Sequence, residues 1–483
     1  MRRNIVQGIL DHTKSAPQKP AIRSPGFELT FDQLSGIVLT YGLHLQRCGV
    51  SRRSTIAVHS GDPIVVIASA LAAALVGCAW VFDGEAMARA QAVQVTHRFR
   101  TLDVAAPAPD GCTVIDTSWT RPPDGHSDTS RPRFPGFVRD DATWLIFPSS
   151  GTTGTPKFMA LSHETTLDRI AANAVEFPTG NEACAFLFAV HSPPTLIRAI
   201  CALTCGASLV LSTDTDFWTA SGVTHVFGSP SQIKHVLPDQ PLPTRIAKAL
   251  IGGDFLPDEL ASRLLQSFDT VVNTYGSTET NLVVENAKSI TDNGKISTHT
   301  VWHDTEIEIV DETDQPLAPG VEGIVRIRNE FLVQGYLNSP EAEAVAFRNG
   351  WFYPGDRGVV TQDRDFTVTG RTNDTFNLGG VKVNAALMDF VLQSVPGVDD
   401  AVCFMMPARD GLQELIALIR ASAVAVTPDI VSEARIQIAT TFSTEATPAK
   451  FIFSDVIPRT ENGKPDRLAC VAMAMSRRAA STR

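Results

Sequence analysis

The sequence predicts an α/β protein with a large N-terminal domain of α/β sheet subdomains and a small β subdomain. A small, mobile α+β C-terminal domain is expected to follow. Two observations lead to this prediction: helical apolar patterns alternate with short apolar strands, and the pattern changes beyond Arg371. At 483 residues the chain is also too long for a single core. We expect the domains at residues 1–372 and 373–483.

The first elements are predicted from helix start and stop signals. Thr30 and Gln33 have the spacing of a capping box. The run 64–82 is uncharged and long enough to cross a bilayer, but Asp62 and Pro63 are typical of a helix start and Gly77 of a helix end. We therefore expect a buried helix and a strand here, not a membrane span. Further strands are predicted at 55–59 and 113–116, and a surface connection at 105–136.

The middle of the chain repeats one theme, an apolar strand that opens into polar or small residues. Such strands are predicted over 185–190, 226–227 and 249–251. In open α/β sheets, ligands bind at the carboxyl ends of the strands. The residues that follow these strands are therefore expected to share one crevice and to line a substrate pocket: His191, Ser192, Gly228, Ser229 and Gly252. His191 has the alternative of being a structural histidine with satisfied hydrogen bonds.

The last third of the chain predicts two smaller units. Strands at 306–310 and 323–328 surround a turn at Pro319-Gly320. Beyond them, helices are expected at 385–393 and 428–442, and strands at 401–405 and 450–453. Asn462-Gly463 predicts a tight turn that would place Lys464 on an exposed loop, where an ordinary solvated lysine is the alternative.

Composition excludes some classes of function. The formal net charge of −11, without a Lys/Arg run, argues against nucleic-acid binding. The eight cysteines are scattered, and Cys201 and Cys205 are expected to be core thiols and not a disulfide or metal ligands. The N-terminus lacks the apolar region of a signal peptide. Together these features predict a cytoplasmic protein.

Two segments carry the composition of a nucleotide site. The first follows a strand predicted at 144–147, and its glycines, hydroxyls and lysine suit a polyphosphate: Ser149, Ser150, Gly151, Thr152, Thr153, Gly154 and Lys157. Its glycine spacing is not that of a Walker A loop, which disfavours a P-loop phosphotransferase. A solvated turn is the alternative. The second segment, 271–280, combines an aromatic residue, a hydroxyl and a carboxylate at a strand end, where Glu279 could hold Mg²⁺.

The segment 149–157 resembles the phosphate loop of the adenylate-forming superfamily, which includes acyl-CoA synthetases, aryl-acid ligases, luciferase and peptide-synthetase adenylation domains. The family's other main motifs follow in order and cover nearly the whole chain. The resemblance implies that Lys464, Thr152, Glu279 and His191 are catalytic, with Lys464 on a mobile loop that bridges the substrate carboxylate and the α-phosphate. Glu279 would hold Mg²⁺. The remaining residues that the resemblance assigns to ATP are Thr153, Gly252, Gly253, Asp254, Thr274, Tyr275, Gly276, Thr278, Asp356 and Arg371.

The implied function is ATP-dependent activation of a carboxylic acid to acyl-AMP, with release of pyrophosphate and transfer of the acyl group to a thiol. Segment 190–192 has no carboxylate to pair with a substrate ammonium, which favours an aryl or acyl acid over an α-amino acid. No carrier motif follows residue 467, so the thiol is expected to come from CoA or from the phosphopantetheine arm of a separate carrier protein, with a slight preference for the carrier. The alternative is a non-catalytic nucleotide-binding scaffold of the same fold.

The sequence departs from the family pattern at the hinge between the domains. Asn373 stands where Asp or Lys is usual, Asn377 where Lys is frequent, and Tyr353-Pro354-Gly355-Asp356 replaces the commoner Thr-Gly-Asp. We expect Asn373 still to act as the hinge, because asparagine tolerates unusual backbone angles.

Overall fold

The computed structural model describes residues 2–84, 86–87, 92–104, 111–120, 134, 137–149, 156–254, 256–291, 294–371, 375–378, 381–408, 413–421, 427–460 and 464–480. These residues belong to two compact units. Unit 1 comprises Met1–Gly252, Leu260–Thr305 and Asn329–Phe347, and unit 2 comprises Gly253–Glu259, Glu306–Arg328 and Arg348–Arg483.

The helices of the described residues are α1 (Val6–Ser15), α2 (Phe31–Arg47), α3 (Pro63–Val76), α4 (His163–Asn173), α5 (Pro193–Cys205), α6 (Thr215–Ala220), α7 (Pro230–Val236), α8 (Asp258–Leu264), α9 (Pro340–Ala346), α10 (Ala385–Gln393), α11 (Thr427–Thr441) and α12 (Arg467–Ala480). Short 3₁₀ turns lie at Ala174–Glu176 and Thr444–Ala446.

The strands in the first half of the chain are β1 (Arg2–Arg3), β2 (Pro20–Ser24), β3 (Phe27–Thr30), β4 (Thr55–His59), β5 (Ala79–Phe82), β6 (His97–Arg100), β7 (Thr113–Val114), β8 (Phe137–Val138), β9 (Thr143–Pro148), β10 (Phe158–Ser162), β11 (Ala183–Phe186), β12 (Ser208–Val210) and β13 (His225–Gly228). Those in the second half are β14 (Ile246–Gly252), β15 (Phe268–Ser277), β16 (Asn281–Ile290), β17 (Ile296–Trp302), β18 (Thr305–Val310), β19 (Gly323–Asn329), β20 (Phe347–Arg348), β21 (Trp351–Phe352), β22 (Asp356–Val360), β23 (Phe366–Arg371), β24 (Thr375–Leu378), β25 (Val381–Asn384), β26 (Val398–Pro407), β27 (Gln413–Ala421) and β28 (Lys450–Phe453).

Unit 1 contains two large, mainly parallel sheets. The first has the strand order β10-β9-β5-β4-β6-β7, in which β10 is antiparallel to β9. The second has the order β17-β16-β15-β14-β13-β11-β12-β2-β3, with parallel pairing from β15 to β2. The predicted α/β class is therefore confirmed.

The predicted helix starts and the predicted helix end near the N-terminus are present in the structure. Thr30 Oγ1 accepts from the backbone N–H of Gln33, and Gln33 Oε1 accepts from that of Thr30, so the capping box of α2 is complete. Asp62 caps α3, and Gly77 ends it with a φ of 86°. In the described part of the chain, no helix is long and apolar enough to cross a membrane.

Unit 2 contains a β subdomain and a layered C-terminal part. The subdomain sheet has the order β20-β21-β19-β22-β23, and β18 pairs with β19. The C-terminal sheet β26-β27-β28 buries one face against α10 and α11, where Met388 and Ile438 contribute to the core. Its other face packs against α12 around Cys470. The predicted boundary at 372/373 lies outside the described residues and stays a prediction.

Some predicted boundaries were wrong. The strand predicted over 185–190 ends at Phe186, because the chain turns there and the N–H of Ser192 bonds to the carbonyl of Ala189. The strand at 113–116 ends at Val114. The described part of the predicted surface connection carries Trp119, which is buried and stacks on His44 with 4.6 Å between the ring centroids. Because the Trp119 side chain is buried, the described segment 111–120 contributes to the core and is not only a surface connection.

Candidate functional site

The base of the predicted phosphate loop is fixed by two antiparallel strands of unit 1. Pro148 at the end of β9 pairs with Phe158 at the start of β10. The N–H of Ser149 donates to the carbonyl of Lys157 at 2.6 Å. The loop residues Ser150, Gly151, Thr152, Thr153 and Gly154 lie outside the described residues, so their assignments stay predictions. The strands nevertheless bring the two ends of the loop together, as a phosphate-binding turn requires.

Lys157 lies against an aromatic ring that sequence reasoning did not single out. Its Nζ is 5.2 Å from the centroid of the Tyr336 ring, a cation–π contact. The next residue, Phe158, accepts a backbone hydrogen bond from Leu337, which keeps the two segments adjacent. Tyr336 therefore positions the side chain of Lys157 at the base of the loop.

The same tyrosine contacts the predicted magnesium carboxylate. Tyr336 Oη donates to Glu279 Oε1 at 2.8 Å, and the Glu279 residue is 5% exposed. Burial raises the pKa of Tyr336, and the charge of Glu279 raises it further. The phenol thus remains protonated and acts as a donor to the carboxylate. A lysine, a tyrosine and a carboxylate are joined in this way within unit 1.

A buried arginine on α4 holds the turn that carries Thr278 and Glu279. Arg169 is 1% exposed, and its guanidinium donates to the carbonyls of Thr278 at 2.8 Å, Glu279 at 2.9 Å and Phe331 at 2.6 Å. Burial lowers the pKa of Arg169 to about 9, so the side chain stays charged at neutral pH. Sequence reasoning missed Arg169, because no neighbouring residue indicates that its partners are the distant carbonyls of Thr278, Glu279 and Phe331.

Two of the glycines that the resemblance assigns to ATP, Gly252 and Gly276, have steric reasons to be glycine. Gly252 pairs with Thr274, and a Cβ at Gly252 would overlap Thr274 Oγ1. A Cβ at Gly276 would overlap the carbonyl of Asn281. Thr274, Tyr275 and Gly276 lie in the last turn-side residues of β15, which leads through Thr278 and Glu279 into a hairpin with β16. The register shifts at Tyr275.

His191 lies at the carboxyl ends of both large sheets of unit 1. Its ring stacks on that of Phe82, the last residue of β5, with 3.7 Å between centroids and 4° between planes. Ser192 is buried and donates to Thr195 Oγ1 at 3.0 Å. Ser229 forms the capping box of α7 with Gln232. Both serines therefore serve local structure, and their predicted contact with substrate, like that of Gly228, stays a prediction.

Unit 2 carries Asp356 and Arg371, two of the residues that the resemblance assigns to ATP. Asp356 on β22 pairs with Arg371 on β23, and Arg371 Nε is 3.2 Å from Asp356 Oδ1. Their side chains therefore lie next to each other, as residues that share one ligand must. Gly253 and Asp254 also belong to unit 2, where both are exposed.

The loop of Lys464 is anchored on both sides by ion pairs. Arg459 Nη2 is 2.6 Å from Asp400 Oδ1, and Arg467 Nη2 is 2.8 Å from Asp389 Oδ2. The carbonyl of Lys464 also accepts from the N–H of Thr460 at 2.8 Å. Lys464 is half-buried, and the predicted exposure of the loop around it stays a prediction. Asn462, Gly463 and the predicted hinge Asn373 lie outside the described residues.

Glu279 fits a magnesium ion that is bound together with a nucleotide. Among the residues that the structure describes, no group of three His, Cys, Asp or Glu side chains could hold a metal ion. Mg²⁺ in nucleotide sites is commonly held by one or two carboxylates, the phosphates and water. A single buried carboxylate, oriented by Tyr336, meets that requirement. The bound ion would neutralise phosphate charge.

Comparison with known proteins identifies the class. Residues 10–337 match the family described as AMP-binding enzymes, and the chain belongs to that family. Over 365 residues it is 28% identical to the D-alanine--D-alanyl carrier protein ligase of Lacticaseibacillus casei, covering 69% of this chain and 71% of that protein. It is 24% identical to a feruloyl-CoA synthase of an Amycolatopsis species, covering 93% of this chain and 95% of the other.

Solved structures agree on the fold. The O-succinylbenzoate coenzyme A synthetase of Bacillus subtilis, in complex with AMP, is similar with a TM-score of 0.79 at 19% identity, covering 97% of this chain and 98% of that one. An anthranilate CoA ligase in complex with anthranoyl-AMP has a TM-score of 0.80 at 18% identity, with 98% and 97% covered. The predicted family and its class, ATP-dependent, AMP-forming acid–thiol ligases, are thereby confirmed.

Proposed function

We propose that this protein activates a carboxylic acid that lacks an α-amino group and passes the acyl group to a thiol. In the first step a carboxylate oxygen attacks the α-phosphorus of ATP, forming acyl-AMP as pyrophosphate leaves. In the second step the thiol sulfur attacks the acyl carbonyl carbon, AMP leaves with the mixed-anhydride oxygen, and the thiol proton passes to solvent. The observation that carries the proposal is the cluster in which Tyr336 joins Lys157 to Glu279.

The cluster suits the first step because that step brings two anions together. Its rate depends on positioning and on neutralisation of charge, not on a protein nucleophile. Lys157 supplies a cation at the base of the phosphate loop, and Glu279 supplies a carboxylate for Mg²⁺. Lys464 is proposed to bring a second cation to the α-phosphate, on a loop that its two flanking ion pairs keep in shape. The bound Mg²⁺ supplies further charge neutralisation.

The substrate is proposed to be an aryl or acyl acid. Amino-acid activation needs an anionic partner for the substrate ammonium, and residues 190–192 are Val, His and Ser. His191 instead presents a ring stacked on Phe82, which suits an apolar or aromatic acyl group better than a charged one. The acceptor is proposed to be the phosphopantetheine thiol of a carrier protein or CoA, since relatives of both kinds occur. A cytoplasmic location is supported by the eight free cysteines.

The decisive experiment is acid-dependent exchange between ATP and pyrophosphate over a panel of aryl, fatty, hydroxy and amino acids. We expect exchange with at least one acid of the aryl or acyl classes, and none with α-amino acids. Binding of ATP, measured by calorimetry on the same preparation, serves as the control for a folded site. ATP binding without exchange for any acid would favour the non-catalytic scaffold.

A further inference from the structure

One face of the second sheet of unit 1 connects the predicted substrate pocket with a buried acid. Gly252 on β14 pairs with Thr274 on β15, and Thr274 pairs with Glu285 on β16. Side chains of directly paired residues lie on the same face of a sheet. Leu250, two residues before Gly252, pairs with Phe227, so Phe227 also faces this side. Glu285 and Phe227 therefore share a face with Gly252.

Helix α5 covers this face with an arginine. Arg198 Cζ is 5.4 Å from the centroid of the Phe227 ring, and Phe227 stacks on Phe186 at 4.9 Å. Burial lowers the pKa of Arg198, and the charges of Glu285 and Glu176 oppose that shift. The guanidinium thus lies above the Phe227 ring and interacts electrostatically with Glu285.

One hydrogen-bond donor on α5 and one acceptor on β16 have no partner among the described residues. Arg198 Nε and Glu285 Oε1 are both buried, and neither has a hydrogen-bond partner among the described residues. His303 Nε2 lies 3.3 Å from the other Glu285 oxygen without reaching hydrogen-bond geometry. Glu285 is only 7% exposed, and buried polar groups are nearly always hydrogen-bonded. By contrast, Glu176, whose charge also acts on Arg198, is paired with Lys248 at 2.9 Å.

We propose that Arg198 and Glu285 bind a hydroxyl group on the part of the substrate acid that is remote from its carboxylate. Arg198 Nε–H donates to the hydroxyl oxygen, and the hydroxyl donates to Glu285 Oε1. This assignment rests on the proposed function and narrows its substrate to a hydroxylated acid. It makes Arg198 and Glu285 specificity-determining residues of that reaction.

The charges explain why a neutral group is required. A second carboxylate would be attracted by Arg198 but repelled by Glu285, and an ammonium the reverse, so neither charged group gains as much from the pair as it would from a single opposite charge. An acid with only C–H at this place would leave both buried polar groups unpaired. A hydroxyl both accepts and donates, and therefore satisfies the two groups at once.

The test compares matched acids in ATP–pyrophosphate exchange. Each pair differs only in the remote substituent: 3- or 4-hydroxybenzoate against benzoate, 4-hydroxyphenylacetate against phenylacetate, and ω-hydroxy fatty acids against their parents, with the corresponding dicarboxylates as a third arm. For at least one scaffold we expect kcat/KM of the hydroxy acid to exceed that of both analogues by about 10²-fold or more, since a site built to bond a hydroxyl rejects the analogue that lacks it.

Substitutions at Arg198 and Glu285 then test whether these two residues cause the preference for hydroxy acids. Glu285→Gln and Arg198→Met should each reduce the ratio of kcat/KM between hydroxy and parent acid to below about 10, while exchange with the parent acid continues. Glu176→Gln is the matched control, because it removes the other acid next to Arg198, and it should leave the ratio unchanged. Calorimetric ATP binding identifies any variant that does not fold, and the other variant then decides.

Two results overturn the assignment in different ways. Exchange that shows no preference for a hydroxy acid, or a preference that survives both variants, overturns this assignment alone. Absence of exchange with every acid overturns the proposed function and this assignment with it.

Discussion

Tyr336 donates a hydrogen bond of 2.8 Å to Glu279, across 57 residues of sequence. The same ring lies beneath Nζ of Lys157. One side chain thus orients the carboxylate proposed for Mg²⁺ and the lysine at the base of the phosphate loop. Because the two partners use different parts of Tyr336, substitutions can separate their effects.

Tyr336→Phe should weaken the magnesium site and spare the contact with Lys157. The phenylalanine ring keeps the cation–π contact but loses the hydrogen bond to the carboxylate, and a bond to a charged group contributes about 1.5–3 kcal/mol. We expect the Mg²⁺ concentration that gives half-maximal exchange to rise roughly 10-fold or more. Calorimetry should show a loss of the Mg²⁺-dependent part of ATP binding.

Tyr353→Phe provides the comparison for Tyr336→Phe. Tyr353 is also buried, but its hydroxyl contacts Arg326 in the β subdomain. The Tyr353→Phe variant should therefore leave the Mg²⁺ dependence of exchange unchanged. A Tyr336→Phe variant that melts earlier yet keeps the normal Mg²⁺ dependence would limit Tyr336 to a structural role.

Arg169→Lys should be strongly destabilising even though it keeps the charge. Lysine cannot reproduce the forked donation to the carbonyls of Thr278, Glu279 and Phe331, and at least one buried carbonyl would lose its partner. An unsatisfied buried group costs about 1–3 kcal/mol, so the midpoint of urea unfolding should fall clearly. Arg139→Lys, at an exposed pair with Asp141, should not move it. Equal midpoints for Arg169→Lys and the native protein would contradict the anchoring role.

Local signals were readable from the sequence, whereas long-range contacts were not. The capping box at Thr30, the stop at Gly77 and helix α10 were predicted because each depends on residues within one or two helical turns. The roles of Arg169 and Tyr336 depend on partners 57 to 179 residues away. The strand end at Phe186 was missed for a similar reason, since sheet pairing and the turn that leads into α5 decide where that strand ends.

His163 should lower stability in mildly acidic solution. Its ring is fully buried against Trp144, and neither ring nitrogen has a hydrogen-bond partner among the described residues. Burial lowers the pKa of His163 to about 4 from 6.5. The folded protein therefore binds fewer protons than the unfolded chain between pH 6.5 and 4, and the free energy of unfolding falls as the pH falls through that window.

The size of this loss of stability follows from the lowered pKa of His163. The difference between a pKa of 6.5 and one of about 4 corresponds to a loss of roughly 3 kcal/mol in the free energy of unfolding once the His163 side chain is protonated in the unfolded chain. Above pH 6.5 the contribution of His163 to this free energy no longer changes with pH. His163→Leu should flatten the acid limb of unfolding curves recorded between pH 7 and 4. The exposed His299→Gln should leave that limb as it is in the native protein. An acid limb of unchanged slope in His163→Leu would show that other groups cause it.

Lys464→Ala should separate the two half-reactions. If the lysine loop reaches the α-phosphate for adenylation and withdraws before the thiol enters, the side chain matters only in the first step. Removing a positive charge directed at the transition state is expected to reduce acid-dependent exchange by on the order of 10²–10³, by analogy with loss of one oxyanion donor. Conversion of chemically prepared acyl-AMP to thioester should stay near the normal rate.

The matched comparison for Lys464→Ala is Lys450→Ala, a lysine of the same unit that pairs with Glu414 at 2.6 Å. It should leave both steps intact. Because the ion pairs of Arg459 and Arg467 hold the ends of the Lys464 loop, the alanine variant should unfold at nearly the native temperature. Equal loss in both steps would assign Lys464 a structural role and argue against alternation of the C-terminal residues. Normal exchange would remove Lys464 from the adenylation step and leave Lys157 as the proposed lysine of that step.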